Sequence, residues 1–211
     1  MIPIESFAAF FIASILLAIA PGPDNIFVLT QSTIHGRKAG IYVTAGLCTG
    51  LIVHTTGVAL GIAAVIKTSY MAFTALKIIG AIYLLYLAAQ AFLASAKSTP
   101  EGNSKVIMNG MQLYRRGIVM NITNPKVSMF FLAFLPQFAN PGYGAIAIQI
   151  FVLGAVFILA TLIVFCSIAV LAGTLGSWLV HSPKAQIIMN RTAGAIFLGL
   201  ALKLATSEHS P

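Results

Sequence analysis

The sequence predicts an all-α integral membrane protein. Six transmembrane segments are expected as two inverted three-helix repeats, with the first and fourth segments broken at prolines. Three observations predict this. Only 8% of the 211 residues are charged and 59% are hydrophobic, with a mean hydropathy of +0.97, whereas a soluble domain carries about 25% charged residues. The basic residues gather in alternate connections between apolar stretches, as the positive-inside bias requires. Two motifs of the first half recur, in order, in the second.

The six segments are read at about Ser6–Thr33, Ala39–Ile66, Tyr70–Ala96, Arg116–Ala139, Gly144–Val180 and Ala185–Ala205. Each is near or above the ~20 apolar residues that a span needs. The first, "FAAFFIASILLAIA", could pass for a secretion signal, but "MIPIES" before it has no Lys or Arg and Pro21 follows it. A first membrane helix is the expectation rather than a cleaved leader. The fifth segment is much longer than a span, so it must tilt, protrude, or kink at Gly154 or Gly173. All 211 residues are expected to form one membrane domain: repeat one at about 1–97, an amphipathic cytoplasmic connection at about 98–115, and repeat two at about 116–211.

Charge orients the chain. The first connection carries Arg37 and Lys38; the third carries Lys97, Lys105, Arg115 and Arg116; the fifth carries Lys184. The second holds only Lys67, and the fourth has no charge. Connections one, three and five are therefore expected in the cytoplasm and both termini outside. Lys105–Arg116 is expected to include a stretch lying on the inner surface. This distribution also accounts for the net charge of +8 without a nucleic-acid partner. Cys48 and Cys166 lie in apolar runs and read as small hydrophobes, with no disulfide or metal site.

The repeats align "PGPDNIFVL" at 21–29 with "TNPKVSMFF" at 123–131, so that Pro125 follows Pro23 by 102 residues. They align "KIIGAIYL" at 77–84 with "RTAGAIFL" at 191–198, so that Arg191 answers Lys77 after 114. Three spans per repeat is an odd number, so the second copy enters the membrane from the opposite side, as in many secondary transporters.

The prolines carry the chemistry. Pro21 and Pro23 lack N–H groups, which would strand the carbonyls of Leu17 and Ile19; Pro125 does the same to Asn121. Orphan backbone groups in hydrocarbon cost several kcal/mol each, so these carbonyls must face protein, water or a solute. After each break a new half-helix begins, at Gly22 and Pro23 in one half and at Asn124 and Pro125 in the other. Its amides and dipole attract anions. The residue after the equivalent proline is Asp24 in one half and Lys126 in the other. On one reading, Asp24 caps its helix and Lys126 snorkels to an interface. On the other, Asp24 and Asn25 with Asn124 and Lys126 bind a solute that carries both an ammonium and a carboxylate.

Other polar residues sit in apolar surroundings. His54 is either a proton carrier, since histidine exchanges protons near neutral pH, or a neutral imidazole bonded to a neighbouring helix. Asp24 is the second candidate for proton coupling. Lys77 and Arg191 must each pair or reach an interface, and Asp24 is the candidate partner of Lys77. Gly46 and Gly50, repeated by Gly57 and Gly61, form a small-xxx-small seam. Tyr83 and Tyr86 read as packing or interface aromatics, with Tyr83 facing the site as the alternative.

The chain also resembles the LysE/RhtB family of bacterial amino-acid exporters over nearly its whole length. The resemblance rests on "PGPDNIFVLTQSTIHGRKAG", "GLIVHTTGVALG", "LKIIGAIYLLYL", "RRGIVMNITNPKVSMFFLAFLPQF" and "NRTAGAIFLGLALKLA". It implies a multi-pass inner-membrane exporter of amino acids or derivatives, driven by proton antiport, with a histidine at the place of His54. "PGPD" resembles the branch that carries neutral, homoserine- or threonine-like solutes. A homodimer is the candidate assembly. No cofactor is expected, and no enzyme: there is no HExxH, no paired-acid motif and no Ser-centred glycine motif. A small cation permease is the alternative, although one acid is thin ligation for a divalent ion.

Overall fold

The computed structural model describes residues 2–68, 70–94 and 108–206. The expectations for Lys97 and Lys105 fall outside the described residues. Eight helices follow one another there, and no strand is found among the described residues: α1 (Ile4–Ile19), α2 (Pro23–His35), α3 (Arg37–Thr68), α4 (Tyr70–Leu93), α5 (Gly110–Ile122), α6 (Pro125–Met129), α7 (Ile146–His181) and α8 (Pro183–Thr206). Four of these are long and apolar enough to cross a membrane. Two bent pairs bring the number to six where each is one span: α1 with α2, bent by 59°, and α5 with the stretch Pro125–Phe138, bent by 49°. Each half of the chain thus runs bent pair, long helix, long helix.

The breaks form where the prolines require them. α1 stops at Ile19, Gly22 is extended at φ −169°, and Pro23 opens α2 at its first position. In the second half the Asn124 side chain accepts from the Lys126 N–H at 3.0 Å, and Pro125 opens α6. Beyond α6 the halves differ. α2 continues as a regular α-helix to Gly36, which ends it at φ +81°, a conformation open mainly to glycine. α6 passes into a π turn over Phe130–Phe134 and then a 3-10 turn over Leu135–Phe138 that holds Pro136.

The structure sharpens three expectations. The fourth crossing starts at Gly110, not at Arg116. Asn109 and Gln112 form a reciprocal capping box there, so Arg115 and Arg116 belong to a helix of the bent pair rather than to a surface connection. The long fifth segment is one continuous helix, α7, that runs through Gly154 and Gly173. Gly154 instead lets α7 approach α3, since a Cβ there would lie 2.4 Å from Thr55. The glycine seam is real at only two of its four positions. A Cβ at Gly46 would lie 2.0 Å from the Tyr114 carbonyl oxygen, and one at Gly50 would lie 2.7 Å from Asn121, so these glycines admit α5. Gly57 and Gly61 face open space.

The packing respects the repeat. α3 packs on α5 and α7, α7 packs on α1 and α2, and α4 packs on α8. Two apolar cores result. The larger is built around Phe10, Phe130, Phe131, Phe134 and Phe157; ring centroids lie 4.9 Å apart for Phe130 and Phe134 and 5.1 Å for Phe130 and Phe157. The smaller joins Ala18, Val28, Val43, Leu47, Phe165 and Ala169. Tyr83 and Tyr86 contact each other on α4 with centroids 6.1 Å apart.

Candidate functional site

A small cavity with four polar side chains in its wall lies where the two cores meet. Leu17, Leu51, Val127 and Phe157 of the larger core line it, with Ala18 and Phe165 of the smaller. Asp24, Asn121, Lys126 and Thr161 complete the lining. Its volume of about 20 Å³ suits a water-sized group; an amino acid needs the breaks to move apart.

The two proline-breaks supply the charged groups, as their equivalence in the sequence predicts. Asp24 is 2% exposed and Lys126 7%, although they lie on opposite halves of the chain. The Asn121 amide donates to Asp24 Oδ2 at 3.3 Å, and Oδ1 has no hydrogen-bond partner among the described residues. The Lys126 ammonium and His54 both act on this carboxylate electrostatically. A buried charge needs such partners, because desolvation otherwise outweighs any gain.

Lys126 also answers the question posed by the first break. Its Nζ donates to the Leu17 carbonyl at 3.3 Å and to the Ala20 carbonyl at 2.8 Å. Leu17 is one of the carbonyls freed by the prolines. The Asn25 amide, from the opening turn of α2, donates to the Ala18 carbonyl at 2.6 Å. A cation on the carbonyl end of α1 also suits that end of the helix dipole. Gly22 leaves room for this arrangement, since a Cβ there would lie 3.0 Å from Lys126 Nζ.

The second break is served differently. His54 Nε2 donates to the Asn121 carbonyl at 3.2 Å, so the proton of the ring sits on that nitrogen. The Asn124 N–H donates to the same oxygen at 3.1 Å. The His54 ring packs on Phe131 at 5.5 Å between centroids. The carbonyl stranded by Pro125 is thus held by the histidine that was read as either a proton carrier or a bonded imidazole.

The structure brings Asp24, His54, Asn124 and Lys126 together around one carboxylate, with Asn25 beside the first break. It does not bring Lys77 to Asp24. Lys77 is half-buried on α4, which packs on α8, and the cation acting on Asp24 is Lys126. Three spans separate Asp24 from Lys126 in sequence, so the repeat alignment, not proximity along the chain, was the signal for this pair. Arg191 is exposed on α8. The sequence reading missed Asn121, Phe157 and Thr161. An asparagine inside an apolar run one turn before a proline was a usable sign for the first of these. Phe157 and Thr161 look like ordinary core residues until α7 is placed. Among the described residues no cluster of His, Cys, Asp or Glu could hold a metal ion.

Residues 15–208 match the LysE type translocator family. The chain belongs to that family. It is 32% identical over 206 residues to the homoserine/homoserine lactone efflux protein of Salmonella typhimurium, covering 98% of each chain. It is 27% identical over 203 residues to the leucine efflux protein of the same organism, covering 94% of each. An uncharacterised membrane protein of Vibrio cholerae is 31% identical over 205 residues, with 97% of this chain and 98% of that one covered. No solved structure matches the chain. LysE-type proteins are translocators, so the chain is a transporter and not an enzyme.

Proposed function

We propose that this LysE-type translocator exports neutral amino acids or their derivatives, homoserine- or threonine-like, from the cytoplasm in exchange for protons. One observation carries the reading: equivalent breaks in the two halves place Asp24 and Lys126 on a single buried cavity. A zwitterion fits between such groups, its ammonium at the unpartnered Oδ1 of Asp24 and its carboxylate at Lys126. For the carboxylate to take more than the third Lys126 N–H, Lys126 must release the Leu17 or Ala20 carbonyl. Solute binding is therefore coupled to loosening of the first break. A second acid for a cationic side chain is missing from the cavity lining, which favours neutral solutes. The relatives' names give a further hint. Homoserine, its lactone and leucine share an amine, while the lactone has no free carboxylate, so the Asp24 end is the essential one.

Antiport follows from competition. A proton on Asp24 removes the charge that holds the ammonium, so proton and solute exclude each other at one carboxylate. His54, acting on the same carboxylate, relays that proton. Export from the bacterial cytoplasm calls for an inner-membrane location, and the Lys/Arg bias of the connections supports both termini outside.

The test is efflux from proteoliposomes preloaded with labelled homoserine, threonine or leucine under an imposed proton gradient. Export of at least one solute that collapses with the gradient is expected, and Asp24→Asn should abolish it. Asp24→Asn transporting at the wild-type rate would overturn the assignment of Asp24. Gradient-independent efflux would remove proton exchange.

A further inference from the structure

We propose that Thr161 is a specificity-determining residue: its hydroxyl reads a hydrogen-bonding side chain on the solute and selects homoserine-like amino acids over aliphatic ones of equal size. The inference rests on the amino-acid reading of the same cavity.

Phe157, Thr161 and Phe165 follow one another at four-residue intervals on α7, and all three line the cavity. Residues so spaced share a helix face, so Thr161 is the polar centre of an otherwise aromatic stripe. Burial makes that hydroxyl unusual. Buried serines and threonines in apolar helices commonly satisfy themselves by bonding the carbonyl one turn back. Ser14 does so to Phe10 at 2.7 Å, Ser32 to Val28 at 2.7 Å, Thr44 to Gly40 at 2.8 Å and Thr55 to Leu51 at 2.7 Å. Thr161 is 3% exposed like them, yet among the described residues it makes no such bond. Its hydroxyl is left to the cavity.

The remaining lining assigns it a role. Asp24, Asn121 and Lys126 hold the charged ends of the solute or one another. The solute's side chain is then left among Leu17, Leu51, Phe157 and Phe165, where Thr161 offers the one hydroxyl. A polar solute atom finds its hydrogen bond there; a methyl group in its place leaves the hydroxyl unpaired. Sites built around substrate hydroxyls can discriminate by 10⁴ or more. A single threonine discriminates less, because without a polar solute it can rotate back to the Phe157 carbonyl. A preference of roughly tenfold is expected.

Homoserine and norvaline make a fitting pair, since they differ by a hydroxyl against a methyl at the same position. In counterflow into proteoliposomes, wild-type protein should prefer homoserine about tenfold. Thr161→Val, equal in shape, should bring the ratio close to one while norvaline transport persists. Thr161→Ser should keep the wild-type preference, and Thr161→Ala carries the same comparison if the valine variant does not accumulate. A wild-type ratio of one, or a hydroxyl-free variant that keeps the wild-type ratio, overturns the role of Thr161 and leaves the exporter reading intact. Wild-type protein that moves neither solute nor leucine removes both.

Discussion

At the first break the freed carbonyls of Leu17 and Ala20 take their hydrogen bonds from Lys126, a charged residue of the other half. At the second, the Asn121 carbonyl takes one bond from His54 and another from Asn124 in its own turn. One closure is a long flexible cation reaching across the bundle, and the other is local and redundant. Their surroundings differ in the same sense. Beyond the first break α2 is a regular helix with buried polar residues, Gln31 and Ser32. Beyond the second, a π turn carries Phe130, Phe131 and Phe134 into the larger core, and π turns recur at functional sites. The comparison teaches that equivalent sequence breaks need not be equivalent hinges. The first break is the one that a solute can unlock, because its lock is itself a charged group facing the cavity.

The largest expected effect removes that lock. Lys126→Met takes donors from two buried carbonyls and a counter-charge from Asp24. Destabilisation of about 3–5 kcal/mol is expected, the range for leaving a buried charge unpaired, read as a lowered unfolding midpoint in detergent. Adding Asp24→Asn should restore part of it, with a coupling of about 1–3 kcal/mol. Strictly additive losses would separate the two residues and undo the comparison.

A smaller effect tests the scaffold between the breaks. Gly50→Ala places a methyl against Asn121 and drives its amide away from Asp24. A loss of about 1–3 kcal/mol is expected, with weaker solute binding. Gly57→Ala, seven residues further along the same helix in open space, should instead be neutral or gain up to about 1 kcal/mol. Equal behaviour of the two variants would remove the α3–α5 approach from the account.

The smallest effect is at the second break. His54→Ala deletes one of two donors to Asn121 O, so a loss of about 0.5–1.5 kcal/mol is expected. His54→Gln, which can donate in its place, should recover most of it. If His54 also relays the proton, both variants should lose gradient-driven efflux while keeping solute exchange. Retention of gradient-driven efflux by His54→Gln would leave the imidazole with its structural bond alone.

Much of this was legible in the sequence, for a physical reason. Proline lacks an N–H and therefore names the carbonyl that it strands, so Leu17 and Asn121 could be identified as needing partners. The capping roles of Gly22, Asn124 and Pro125 follow from the same local rules, and both crossings bend there. The donors that these carbonyls find were not legible. Which cation meets Asp24 depends on how α4 and α6 sit around α2, and nothing local distinguishes Lys77 from Lys126. The glycines show the same limit: four at like spacing, but only Gly46 and Gly50 have a helix against them. Thr161 was invisible because the informative fact about it is a bond to its own helix that it does not make.

The reach of Lys126 to Ala20 spans 106 residues, and a ribosome needs on the order of 5–20 s to make that much chain. Through that interval the first break sits in the bilayer with the bonds of Leu17 and Ala20 still to be found, whereas His54 is already in place when Asn121 emerges. The first half of the protein is thus born open and is closed by the second. A copy truncated before residue 126 keeps the wound without the suture, and the quality-control proteases of the membrane should meet it in that state.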